Sequence, residues 1–87
     1  MKALLNTNVI IRTVTLYTVG HVDAIGDGFI TLSKAAWVAD TGRWSSALAT
    51  GKLAEVEMFP GNGITHVALG AVVDVTPWAH PLPTVTV

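Results

Sequence analysis

The segment from Gly20 to Ala35 most constrains what this chain can fold into, because it reads as two strands joined by a tight turn. Val22 and Ala24 precede the turn Gly26-Asp27-Gly28, and Phe29, Ile30 and Leu32 follow it. The glycines supply backbone conformations that other residues adopt only with strain, so a β-hairpin is expected here. A hairpin commits the neighbouring chain to an antiparallel sheet. Val9 to Val19 is rich in β-branched and aromatic residues and reads as a first long strand. Its alternation is imperfect: Ile10 and Ile11 are adjacent, and the phase changes between Leu16 and Tyr17. That irregularity predicts a bulge, bend or short break before Gly20. The second and third strands are then about Gly20 to Ile25 and Phe29 to Val38.

Asp40-Thr41-Gly42 is turn chemistry, and Trp44 to Thr50 closed by Gly51 predicts one or two helical turns. Trp44 and Leu48 stand four apart, on one face of such a turn. From Leu53 to Phe59, Val56 and Met58 alternate with Glu55 and Glu57, the pattern of a half-exposed strand that Pro60-Gly61-Asn62-Gly63 ends. Ile64 to Val75 supplies a strand pair or one bent strand, broken near Leu69-Gly70. The expected fold is all-β: a small, strongly bent antiparallel SH3-like barrel of about five strands with one short helical insertion. It occupies residues 1–76. Residues 77–87 form a Pro-rich tail that can be neither helix nor central strand, with Trp78 and Leu82 placed to dock on their own domain or on a neighbouring subunit. Thr84 to Val87 is either disordered or an added edge strand.

A chain of 87 residues buries only roughly 60 to 65 per cent of the surface its unfolded state exposes. Half of the residues (51%) are hydrophobic and 13% are charged, against a usual charged fraction of about 25%. Few groups are left to cover a monomer, and with no cysteine to staple it, self-association is the expected source of extra stability. Lys2, Arg12, Lys34, Arg43 and Lys52 are scattered and the net charge is −1, so strong nonspecific binding to nucleic acid is not expected. A ring can still gather one weak positive site per subunit into a patch. Ala3-Leu4-Leu5 before Asn6-Thr7-Asn8 is too short for a signal peptide, and no apolar run nears the roughly 20 residues that span a bilayer. The expected address is the cytoplasm or a particle assembled there, with no membrane partner.

Gly20-x-Val22-x-x-Ile25-x-Asp27-x-Phe29-Ile30-x-Leu32-x-x-Ala35 resembles the first signature of Sm-like proteins, the Sm, LSm and Hfq ring formers. Leu69-Gly70-Ala71-Val72-Val73-Asp74-Val75 resembles the second. The stretches 35–44, 49–57 and 71–83 are similar to a group of small phage and prophage proteins with an Sm-like fold. The resemblance implies a cyclic homo-oligomer of five to seven subunits joined edge to edge by strands, with RNA or other phage proteins as further partners. RNA-binding Sm proteins carry an Asn in the loop after the second strand and an Arg before the second-signature glycine. Here those regions read Asp27-Gly28-Phe29-Ile30 and Leu69-Gly70, so the nucleotide-binding residues do not carry over.

No nucleophile-elbow, metal-ligand or cofactor motif stands out, so the chain is expected to be noncatalytic and to need no cofactor. His21, His66 and His80 are the candidates for a metal or acid-base site, with His66 able to meet His21 if their strands pair; surface histidines are the alternative. Asp40, Arg43 and Trp44 form the best interaction candidate, Arg43 reaching a carboxylate across a subunit boundary and Trp44 acting as a buried anchor. The alternative is that Asp40 caps the short helix while Trp44 fills the core. Trp37 and Trp78 are core or interface anchors that can stack bases if exposed, and His80 sits in the tail beside Trp78.

Overall fold

The computed structural model describes residues 2–86 and is an antiparallel sheet of six strands with one short helix. The strands are β1 (Asn8–Thr13), β2 (Tyr17–Gly26), β3 (Phe29–Asp40), β4 (Glu55–Met58), β5 (Thr65–Ala68) and β6 (Val72–Pro77); the helix α1 (Trp44–Thr50) lies between β3 and β4. The sheet order is β4-β3-β2-β1-β6, and β5 lies beyond β4 along the same edge of β3. Laid flat, β5 and β6 would stand four strand spacings apart, about 19 Å. Only the 3-10 turn Leu69–Ala71 joins them, a connection that reaches at most about 14 Å. The sheet must therefore curl until its edges approach, which makes it a small, strongly bent barrel.

The β2–β3 hairpin is built as expected. Asp27 (φ 53°) and Gly28 (φ 83°) both take left-handed conformations, the type I′ geometry, and Gly26 pairs with Phe29 across the turn. The bend lies further along: Val19 pairs with Ala36 and His21 with Ser33, so β3 carries one extra residue opposite Gly20. Lys34 (φ 51°) makes this bulge, and β3 folds so closely over Gly20 that a Cβ there would lie 3.2 Å from Ala35, Leu32 and Ser33. The Lys34 and Ala35 N–H groups that the bulge releases donate to the carbonyls of Asn62 and Gly63 in the loop between β4 and β5. A second bulge, at Asp23, shifts the register between Val22 and Ala24.

The expected first strand, Val9 to Val19, is instead two strands. The chain reverses at residues 14–16, where the Leu16 carbonyl accepts from both the backbone N–H and the hydroxyl of Thr13. This is the break before Gly20 that the phase change between Leu16 and Tyr17 predicts, and Val19 and Gly20 run without interruption inside β2; the other irregularity has a different cause. The Ile10-Ile11 pair does not mark a bulge, because the sheet is buried on both faces and Val9, Ile10 and Ile11 are all fully covered. Val9 and Ile11 join Val22, Ile30, Leu32 and Ala35 inside the barrel. Ile10 points the other way, to Val19, Ala36, Val38, Val56 and Trp78. Trp44 and Leu48 of α1, together with Leu82 of the tail, close this outer cluster.

Candidate functional site

The tail after β6 is part of the fold. Trp78, 4% exposed, docks in the outer cluster of its own chain, and its indole N–H donates to the Pro81 carbonyl at 3.3 Å. His80 meets the Trp78 ring edge-on at 5.1 Å, and its Nε2–H donates to the Leu48 carbonyl at 2.7 Å. That carbonyl lies in the last turn of α1, where backbone acceptors lack helical partners, so the histidine caps the helix from outside. Gly51 (φ 77°) ends the helix beneath the same ring, and a Cβ there would fall 2.6 Å from His80 Cγ.

Asp40 does not cap α1. Its Oδ1 accepts from the Gly42 N–H at 2.8 Å, closing an Asx turn, and Arg43 holds the N-cap position with no side-chain cap bond. Two residues of turn intervene between Asp40 and the N-cap, which puts the helix N–H groups out of its reach. Trp44 is half-buried and stacked on Tyr17 at 5.3 Å, with its ring against the outer cluster. Arg43 is exposed, and among the described residues it joins no ion pair. The turn thus separates the three: the aromatic is spent on the core, and the cation faces solvent.

Trp37 is 44% exposed and packs edge-on against Phe59 at 4.9 Å. Its cross-strand partner is Glu57, and Glu55 lines the same cleft of about 330 Å³. Trp37 and Trp78 therefore do not form a shared stacking platform: one is buried, and two carboxylates border the other. Of the cations, Arg12 is tied to Asp74 across β1 and β6.

The histidines stay apart. β2 and β5 flank β3 on opposite sides, so His21 lies opposite Ser33 and His66 opposite Thr31, with β3 between them. His21 Nδ1 is 2.9 Å from Asn8 Oδ1, and His66 Nδ1 is 2.9 Å from the Thr31 hydroxyl. Among the described residues no group of three His, Asp or Glu side chains comes close enough to hold a metal ion. Ser33, Asp23 and His21 are neighbours, but in the wrong order for a nucleophile. Ser33 Oγ donates to Asp23 Oδ1 at 2.9 Å, and His21 Nε2 is 4.0 Å from that same oxygen. The carboxylate sits between hydroxyl and imidazole, whereas serine activation needs the imidazole in the middle.

A concavity of about 620 Å³ opens beside the Lys34 bulge and is walled by Phe59, Ile64 and the tail residues Leu82 and Pro83. Asp23 and Lys34 are its charged groups. Its position was not legible in the sequence, because the tail and the loop after β4 meet only through the bend of β3. The sheet edges are the other open feature. Phe59 N–H donates to Ala35, so by the alternation of an antiparallel ladder Glu57 bonds to β3 while Val56 and Met58 turn their backbone groups away from it. At the opposite edge the Trp78 N–H donates to Asn8, which by the same alternation turns the Val75 N–H outward and places Pro77, which has none, at another outward position. Comparison with family models, curated proteins and solved structures finds no match to this chain.

Proposed function

We propose that the chain is a noncatalytic scaffold that assembles with copies of itself into a closed ring, as its resemblance to small phage Sm-like proteins implies. The observation that carries this reading is a pair of sheet edges on one small barrel, β6 at one end and the tandem β4 and β5 at the other, that pair with no further strand among the described residues. A strand edge is a template for another strand. Two different edges on one subunit give a heterologous contact, which closes into a ring when the rotation per subunit divides a full turn. Exposed apolar side chains border both edges: Val73, 55% exposed, on β6, and Ile64, 56% exposed, just before β5. A sparse set of charges, 13% of residues, offers little repulsion between copies.

RNA is the less favoured ligand, since the exposed aromatic Trp37 stands beside Glu55 and Glu57 and not beside a cation. Native mass spectrometry tests the scaffold reading. A single species at five to seven times the 9.1 kDa subunit mass supports it, and a monodisperse monomer at micromolar concentration overturns it.

A further inference from the structure

We infer that the end of the tail is a plug on the β4 edge, which a strand from a second copy must displace before the two chains can pair there. The inference rests on the assembly reading above and concerns its regulation.

β4 is four residues long, and only one of its edges is satisfied by another strand. On the outward side, the Met58 N–H donates to the Thr86 hydroxyl at 3.1 Å. The acceptor is a side chain, where a paired strand would offer a backbone carbonyl. Among the described residues no strand forms between tail and β4, and a gap of about 170 Å³ is lined by Val56 on one side and by Pro83, Thr84 and Val85 on the other. The tail stands against the edge without zipping onto it.

Its attachment is nevertheless firm. Trp78, His80 and Leu82 are fixed in the outer cluster or on α1, so the last anchored residue is only four positions before Thr86. A tether that short holds the hydroxyl beside Met58 at an effective concentration in the millimolar range. Pro81 and Pro83 have no N–H to donate, which keeps the tail from extending into a full ladder with β4. Thr84, Val85 and Thr86 are exposed, so little is lost when they leave. A strand from a second copy would satisfy the outward groups of both Val56 and Met58, where the tail satisfies one. The contact therefore raises the concentration at which copies associate without preventing association.

The test compares the intact chain, a chain lacking residues 84–87, Thr86→Val and Thr86→Ser. Sedimentation gives the concentration of half-association, and amide hydrogen exchange is read at Met58. None of the changes touches the anchors. Loss of one hydroxyl hydrogen bond should lower the half-association concentration about fivefold in the truncated chain and in Thr86→Val. The Met58 amide should exchange faster in both when they are dilute. Thr86→Ser, which keeps the hydroxyl, should behave as the intact chain does. Equal association by all four chains would overturn the plug while leaving assembly intact. Failure of all four to associate, even with faster Met58 exchange in the truncated chain, would remove the assembly reading and the plug with it.

Discussion

The two faces of one sheet are buried by different means. Inside the barrel, Val9, Ile11, Val22, Ile30 and Leu32 are covered by other strands, by Leu4 of the 3-10 turn Lys2–Leu4 and by the turns at Phe59 and Leu69. On the outer face, Ile10, Val19, Val38 and Val56 are covered by a seven-residue helix and a proline-rich tail. The inner cluster is closed by the same hydrogen-bonded ladders that define the fold. The outer one depends on a cover held by a few side chains: Trp78, His80, Leu82, Trp44 and Leu48. Curling the sheet makes the first cluster unavoidable, whereas the second has to be supplied by chain outside the sheet.

Substitution separates the two. Leu32→Ala, which empties the inner cluster, should cost about 4 kcal/mol, a large share of the stability of a domain this size. Urea unfolding followed by far-UV circular dichroism should register the loss across the whole sheet. Trp78→Ala should cost about 3 kcal/mol by opening the outer cluster. Here amide exchange should quicken in α1 and β4 while the β1–β2 ladder stays protected. If the two variants lose protection everywhere alike, the clusters form one cooperative unit and the distinction fails.

Smaller changes sharpen the comparison. Gly51→Ala forces a side chain into a left-handed position and against the His80 ring, at a cost of about 2 kcal/mol. It should loosen the tail and leave the barrel in place, visible as a change in Trp78 fluorescence that precedes loss of sheet signal. Arg12→Ala breaks the half-exposed pair with Asp74 and should cost at most about 1 kcal/mol, lowering the melting temperature by a few degrees.

What was legible in the sequence follows the same division. The β2–β3 turn could be read because Asp27-Gly28 tolerates two left-handed residues in succession, and the end of α1 because Gly51 takes a third. The break at residues 14–16 could be read from the phase change between Leu16 and Tyr17, but not that it is a full reversal, since Val14-Thr15-Leu16 contains no glycine, proline or asparagine and the turn is held by the Thr13 hydroxyl and backbone. Ile10-Ile11 looked like a fault in alternation because a cover on the outer face cannot be foreseen from the strand that it covers. At the candidate site, Trp78 reads from the sequence as a core or interface anchor, but its partners come from strands far away in the chain. The separation of Asp40, Arg43 and Trp44 turned on where the helix begins, a matter of one or two residues. Thr86 lies 28 positions from the Met58 that it meets, and no local pattern joins them.

Assembly through strand edges is tested most directly at Val75 and Thr76, neighbours on β6 whose amides face opposite ways. Thr76 bonds inward to β1, while the Val75 N–H points out along the open edge. Amide exchange measured across a dilution series should find Thr76 protected at every concentration and Val75 protected only where copies have associated. Rapid exchange at Val75 at all concentrations, including those at which the chain is multimeric, would mean that the β6 edge never receives a partner strand and would contradict the account.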